Sequence, residues 1–289
     1  RPEAGTAAVM QQIVGNPVKY PVFTSYADDA KVNYTGVSPF RNLFGDMTDT
    51  SFTTASHKCS AFFIDQLTST SDPRMAQWVR IVGSDDVHGV VSGVVEPGGT
   101  GASVMNPAVL KQYTTPVWFM TSSELFFILS EAAHTGMIPG GEAAAEAYYE
   151  QAVTNSIRQW NPSISDANID RFLHGTGSKA AYDGTLERII QQKWVSVFMQ
   201  GFEAWCDYRR TGYPQLPIGP DVQNEGVLPT RLGYGQMLIS TNGDNYRKQV
   251  ARMKAAYPVV GRGTAGGDNM LTPVWWSKRA LELENGAMN

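Results

Sequence analysis

Apolar residues recur at helical spacing in the middle of the chain and lose all period in its first fifth. From Ala143 to Trp160 the positions Ala145, Tyr148, Tyr149, Ala152, Val153, Ile157 and Trp160 fall on one face of a helix. Before it, Thr121-Ser122-Ser123-Glu124 reads as a capping box opening a helix with Leu125, Phe126, Ile128, Leu129, Ala132 and Ala133, and Gly136 is placed to end it. Pro139-Gly140-Gly141 separates the two, so the pattern predicts an antiparallel helix pair on a short connection. The longest helical stretch is predicted over 185–211. Asp183 or Thr185 caps it, Leu186, Ile189, Ile190, Trp194, Val197 and Phe198 form its stripe, and Gly201 is a point of bend or interruption. Arg209 and Arg210 suit its last turn, and Gly212 and Pro214 stop it. Shorter helices are expected over 3–14, 56–68 and 244–254, and Val-rich strands over 77–82 and 89–95. A Gly-rich loop is expected over 96–102, and after 214 the chain reads as mostly loop. Residues 17–55, rich in Pro, Tyr, Phe, Asp, Thr and Ser, read as extended segments and long ordered loops, a common place for function.

A single helix pair of tetratricopeptide type does not bury both its faces, and a stack needs about three repeats. The pair 121–160 is therefore expected to pack on 185–211, through Trp194, Val197 and Phe198. On that reading Trp194→Ala costs about 3–5 kcal/mol if the indole is buried.

Composition narrows the function classes. The chain has 289 residues, 42% of them hydrophobic, enough for a real core. Charged residues are only 17%, which argues against a coiled coil, and the net charge of -4 leaves no basic footprint for nucleic acid. No apolar run is long enough to cross a membrane. The opening Arg1-Pro2-Glu3-Ala4 lacks a signal-peptide pattern and reads as the interior of a longer protein. Two cysteines, Cys59 and Cys206, make no disulfide framework.

Motifs for catalysis are absent: there is no nucleophile elbow, Walker loop or dinucleotide fingerprint. His57, His88, His134 and His174 have no zinc spacing, and neither a metal nor a cofactor is expected. Asp28 and Asp29, adjacent in a loop, should point apart rather than face each other across a sugar. Glu203, Asp207 and Arg210, on one helix face, read as an ion-pair ladder, and Trp194 and Trp205 as core. The loop aromatics differ. Tyr20, Phe23, Tyr26, Tyr34, Phe40 and Phe44 crowd together among Asn33, Thr35, Arg41, Asn42 and Asp46. Flat rings beside paired donors and acceptors suit a sugar, whose C–H face they cover while polar side chains take its hydroxyls. The other reading tucks the same rings into the core. The candidate ligand-binding residues are Tyr26, Tyr34, Phe40, Arg41, Phe44 and Asp46, with Tyr34 and Phe44 first.

Several segments together resemble the SusD/RagB family, in its SusD-like branch. They are Ser123-Glu124-Leu125-Phe126-Phe127-Ile128-Leu129-Ser130-Glu131-Ala132-Ala133, with Tyr149 and Ala152-Val153, then Ile190-Gln191-Gln192-Lys193-Trp194, Gln200-Gly201-Phe202-Glu203-Ala204-Trp205 and Tyr208-Arg209-Arg210-Thr211-Gly212-Tyr213-Pro214. Tyr26-Ala27-Asp28-Asp29-Ala30, Tyr34 and Asp72-Pro73-Arg74 also fit. Pro229-Thr230-Arg231-Leu232, Tyr234, Asn242 and Asn245-Tyr246 match in part, with Gly235 and Leu238 departing from the usual Pro and Glu.

The resemblance implies a mainly α fold with tetratricopeptide-type helix pairs, long ordered loops and a few short strands. It implies a surface-exposed outer-membrane lipoprotein that binds glycan or another nutrient without catalysis and serves a SusC-like TonB-dependent transporter. Residues 1–289 would be the C-terminal part of one SusD-like domain, with a loop-rich ligand-facing region at 17–115 and a helical region at 121–214. Earlier helix pairs and the lipid anchor would precede Arg1, and the motif residues would be chiefly scaffold. The alternatives are a glycoside hydrolase using carboxylates in loops 20–50, and a helical module that only docks protein.

Overall fold

The computed structural model describes residues 5–47, 58–82, 86–95 and 101–285. Its helices are α1 (Thr6–Gly15), α2 (Ala61–Thr70), α3 (Met75–Trp78), α4 (Pro107–Leu110), α5 (Ser122–His134), α6 (Gly141–Trp160), α7 (Asp166–His174), α8 (Leu186–Ser196), α9 (Gly201–Thr211), α10 (Gln236–Thr241), α11 (Gly243–Ala256) and α12 (Lys278–Glu284). The strands are β1 (Ala30–Val32), β2 (Val79–Arg80), β3 (Val104–Met105) and β4 (Val117–Met120), paired antiparallel as β1–β4 and β2–β3. The chain divides into two compact units, Arg1–Val91 with Gly98–Ala204, and Ser92–Pro97 with Trp205–Asn289.

The centre of the first unit is the expected helix pair. Thr121 Oγ1 accepts the backbone N–H of Glu124 at 3.1 Å and starts α5, and Gly136, at a φ of 73° that side chains disfavour, turns the chain after it. The pair is clamped at two points. Ser123 Oγ donates to the Ala152 carbonyl (2.8 Å) and Ser130 Oγ to the Ala145 carbonyl (2.7 Å), seven residues apart on each helix. Small side chains at those positions bring the backbones close. The buried face joins Phe127 to Tyr149, Ala152, Val153 and Ile157 of α6, to Ile169, Phe172 and Leu173 of α7, and to Ile189 of α8. A second cluster sets Leu129, Ala132, Ala133 and Ala145 against Ile138, with Met10 and Val14 of α1 packed on it. The pair thus finds partners in α1, α7 and α8.

Helix α7, which no expected element covers, carries a stripe of Ile169, Phe172 and Leu173 behind a Ser165 cap. His174 ties it to α6, with Nε2 against Glu150 Oε1 (2.8 Å) and Nδ1 against Asp170 Oδ1 (2.9 Å). The two carboxylates hold the imidazolium, so its pKa lies above the usual 6.5. Protonated His174 therefore contributes stability that is complete below the unfolded pKa and lost as pH rises through the raised folded value. His174→Gln should flatten the fall in melting temperature across that window, and an unchanged profile in differential scanning calorimetry would dismiss the linkage.

The predicted 185–211 helix is two. Helix α8 ends at Ser196 with Val197 as its cap, and Met199, at a φ of 72°, turns the chain before α9 begins at Gly201. The packing expectation holds in part. The pair meets α8 through Ile189, and Trp160, the last residue of α6, meets Phe198 edge-on at 5.8 Å; Trp194, Phe63 and Trp78 complete an aromatic nest around that contact. Trp78 is its hub, stacked on Phe198 at 4.5 Å and edge-on to Trp160 at 5.7 Å. Trp194 is only half-buried and meets Phe62 edge-on at 5.4 Å.

The expected helix 56–68 is α2, capped by Ser60, whose Oγ accepts the Phe63 N–H; positions 56 and 57 lie outside the described residues, as do His57 and most of the expected Gly-rich loop 96–102. Of the expected strand 77–82 only β2 forms, after α3 has taken Gln77 and Trp78. The expected strand 89–95 reduces to one bridge, Ser60 with Val90. Both stretches have β-favouring composition, but among the described residues no long partner strand is offered to either. Between α2 and α3, Asp72 and Arg74 are buried together. The Arg74 guanidinium donates to both Asp72 oxygens (2.9 and 2.6 Å), to Ser156 Oγ (2.8 Å) of α6 and to Gln192 Oε1 (2.8 Å) of α8, and lies 5.4 Å from the Trp78 ring. Two separate pieces of the resemblance, Asp72-Pro73-Arg74 and the segment that carries Gln192, meet in this knot, both as scaffold.

In the second unit Tyr257, Val260, Leu271 and Ala280 form a small core. Arg209 is held between the rings of Trp205 (3.7 Å) and Trp276 (4.7 Å), so Trp205 is a stacking partner, half-buried rather than core. Arg231 pairs with Asp268 (3.0 Å) and covers Tyr234 (4.8 Å). The expected ladder keeps one rung, Asp207–Arg210 at 2.9 Å, while Glu203 is exposed. Gly235, where the family pattern has Pro, precedes α10 with no side-chain cap.

Candidate functional site

The loop from Ser25 to Asp46 is ordered by its own side chains. Asp28 Oδ2 accepts the Thr24 N–H (2.8 Å), the Thr24 hydroxyl (2.8 Å) and the Ser25 N–H (3.1 Å) in a capping box over residues 26–28, which holds its carboxyl below the ordinary range. Asp29 faces inward instead. Its Oδ1 accepts the Ser122 N–H at the start of α5 (2.7 Å), and burial pushes its carboxyl up. The neighbours do point apart, each engaged in holding a turn or a helix start.

β1 then pairs with β4, with Lys31 opposite Trp118. Trp118 turns inward to within 5.1 Å of Trp160, while Val32, Val117 and Phe119 (69% exposed) face outward. Past Tyr34 the chain folds back on itself: the Thr35 N–H and hydroxyl both donate to the Phe40 carbonyl at 3.0 Å, across a cis Ser38–Pro39 bond. This turn leaves the Phe40 ring 69% exposed.

Asn42 anchors the next segment. Buried, it donates through Nδ2 to the Thr115 carbonyl (2.7 Å), donates its backbone N–H to the Tyr113 carbonyl (2.8 Å) and caps residues 43–46 by accepting the Phe44 N–H (2.8 Å). That seats the loop on residues 111–115. A Cβ at Gly45 would stand 2.2 Å from the Tyr113 ring, so only glycine lets the ring lie there. Around that ring three groups converge: Arg41 sits 4.9 Å from its centroid, Arg41 Nη2 meets Asp46 Oδ1 at 2.9 Å, and the Tyr113 hydroxyl donates to the same oxygen at 3.3 Å.

Of the six sequence candidates, the structure thus brings Arg41 and Asp46 together beside an exposed Phe40. Tyr26, Tyr34 and Phe44 are half-buried, and none of their side chains makes a ring contact or hydrogen bond to this group among the described residues. Tyr113 is the member that sequence reasoning missed. It lies 67 residues after Asp46 with no local pattern to link them.

A second aromatic concavity, about 260 Å³, lies along α8 and is lined by Phe63, Met105, Trp194, Phe198 and Met199. Its one thiol, Cys59, is buried, and burial pushes its pKa up to about 11, which keeps it a poor nucleophile. Among the described residues no cluster of three His, Cys, Asp or Glu side chains has the geometry to hold a metal ion.

A family model described as starch-binding and associating with the outer membrane, SusD-like, matches residues 1–235. Among solved structures, the chain is similar to a chitin-binding protein at 27% identity and a TM-score of 0.72, covering 96% of this chain and 61% of that one. It is similar to a SusD homolog from Bacteroides thetaiotaomicron at 24% identity, TM-score 0.72, with coverages of 94% and 61%. A SusD homolog from Bacteroides fragilis follows at 22% identity, TM-score 0.73, with coverages of 95% and 62%. The last two likenesses speak for the fold alone. The chain spans about three fifths of the length of these structures. No curated protein matches it. The mainly helical frame built on the α5–α6 pair, and the match over most of its length, make this chain a member of the SusD-like family.

Proposed function

We propose that the protein captures glycan at the cell surface of the outer membrane and passes it, unchanged, to a SusC-like TonB-dependent transporter, the chain being the C-terminal part of a lipid-anchored SusD-like domain. The observation that carries this reading is the platform around Tyr113. An exposed ring, Phe40, stands in the same loop as a guanidinium and a carboxylate, both held in contact with the phenol of Tyr113. The polar trio presents donors and acceptors in fixed directions, and the ring offers a flat apolar face, the combination a sugar asks for. Phe40 and Tyr113 stand ahead of the half-buried Tyr34 and Phe44 as contacts. The engagement of Asp28, Asp29 and Asp46, the loop carboxylates among the described residues, in structural hydrogen bonds or an ion pair favours binding over hydrolysis, since a glycosidase needs one carboxyl free to give a proton and another facing it.

The test is calorimetry against starch and chitin oligosaccharides, with the same mixtures assayed for reducing ends. Phe40→Ala with Tyr113→Ala should weaken binding about tenfold or more, as expected when two stacking contacts are lost, with little change in melting temperature. Unchanged affinity removes the platform from the reading, and a steady release of reducing ends turns the chain into a hydrolase.

A further inference from the structure

A larger concavity lies away from that platform, in the first unit. Its volume is about 830 Å³, within the roughly 300–1,000 Å³ typical of small-molecule sites. The turn after α2 (69–73) forms one wall, the turn between α6 and α7 (161–165) another, and the end of α7 with its following loop (171–179) the third. Its chemistry is one-sided. Among the described residues, Arg171 and Lys179 are the only charged side chains in the lining, and neither is in an ion pair there. The acids of α7 are spent elsewhere, Asp166 on Arg158 and Asp170 on His174, both in a separate groove.

The neutral lining is turned toward donation as well. Asn161 Oδ1 already accepts the Ser163 hydroxyl (3.1 Å) and Asn168 Oδ1 accepts Arg171 Nη1 (3.1 Å), which leaves both amide NH2 groups as the unused ends. The backbone N–H groups of Thr176 and Gly177 donate to no acceptor among the described residues, and Gly177 leaves open space where a side chain would begin. The hydroxyls of Ser71 and Thr176 likewise have no hydrogen-bond partner among the described residues. A cleft with two cations, spare N–H donors, rotatable hydroxyls and no carboxylate is matched to a ligand rich in oxygen acceptors that also carries negative charge.

We propose that this cleft is a second binding site, for an acidic glycan such as a polyuronate, with Arg171 and Lys179 meeting carboxylates and the Ser, Thr and Asn side chains meeting ring hydroxyls. It rests on the glycan-capture reading for the class of ligand but on none of the residues of the Tyr113 platform. The salt response separates the two: an acidic ligand held by exposed cations weakens as ionic strength rises, whereas a neutral sugar does not.

The probe is trigalacturonate, titrated calorimetrically into the chain at low and at high sodium chloride, beside maltotriose and sodium sulfate. Saturable, salt-sensitive binding of trigalacturonate is expected, with neither control competing for it. Arg171→Gln and Lys179→Gln should each weaken it about tenfold, the scale of one charge-assisted hydrogen bond, without lowering the melting temperature, since both side chains are exposed. Phe40→Ala with Tyr113→Ala should leave it intact, so failure of the platform leaves this result standing. Absence of saturable binding, equal binding of maltotriose, competition by sulfate, or unchanged affinity in the double variant Arg171→Gln, Lys179→Gln overturns the proposal.

Discussion

Replacing Arg74 with alanine is expected to cost about 3–5 kcal/mol, the scale for breaking a buried ion pair by removing one partner. Arg74 is 1% exposed and Asp72 4%, so the substitution strands a carboxylate out of reach of water. It also leaves Ser156 Oγ without its donor and Gln192 Oε1 without its proton, and each orphaned polar group adds its own desolvation cost. Arg74→Lys should not rescue this. An ammonium cannot span both Asp72 oxygens and reach α6 and α8 at the same time, whereas the planar fork does. Equilibrium unfolding in urea reads the effect directly: a midpoint within error of the parent for Arg74→Ala would mean that the knot contributes geometry but no stability. Asp72→Asn with Arg74→Met, which removes both charges, should be milder than Arg74→Ala alone, because no unpaired ion remains.

Trp78→Ala is expected to cost a similar amount, about 3–5 kcal/mol, by opening a cavity at the centre of the aromatic nest. Its ring is fully buried and touches Phe63, Trp160 and Phe198, while its indole N–H has no hydrogen-bond partner among the described residues. Its contribution is therefore volume and ring packing, and Trp78→Phe should recover much of the loss. Trp194→Ala should cost less, about 1–2 kcal/mol, since half-burial removes proportionally less apolar surface from water. The order of the two alanine variants is the measurement that matters. If Trp194→Ala proved the more damaging, the hub of the nest would have to move to α8.

Why the sequence points to Trp194 rather than Trp78 is instructive. Trp194 lies on a long visible stripe, and a stripe announces burial. Trp78 ends a four-residue helix behind a Pro-containing turn, where no period is measurable. The α5–α6 pair is legible because caps, stop signals and a long periodic run agree. The break between α8 and α9 is legible in part: Gly201 marks the interruption and α9 starts there, but the apolar spacing runs on through it and the residue that takes the left-handed conformation is Met199, not a glycine. In the loop, Arg41 and Asp46 are close enough in sequence to be read as one group. Tyr113 joins them only through tertiary contacts made by Asn42, whose burial no local pattern announces. Asp72-Pro73-Arg74 reads as a turn and is one, but its role as a tie between α6 and α8 depends on Ser156 and Gln192, far along the chain.

The two serine clamps between α5 and α6 also bear on which changes this chain can absorb. Because Ser123 and Ser130 meet Ala152 and Ala145 with equal spacing on both helices, the two bonds work like marks on a pair of rulers. Deleting or inserting one residue between the marks rotates everything beyond it by about 100°, so one clamp and the buried face past it are lost together. An insertion or deletion in this half of the molecule should therefore be tolerated only outside the ruled intervals, such as in the connection at 135–140. Within them, change takes the form of substitution, and at the four clamp positions only toward side chains small enough to keep the two backbones at the same distance.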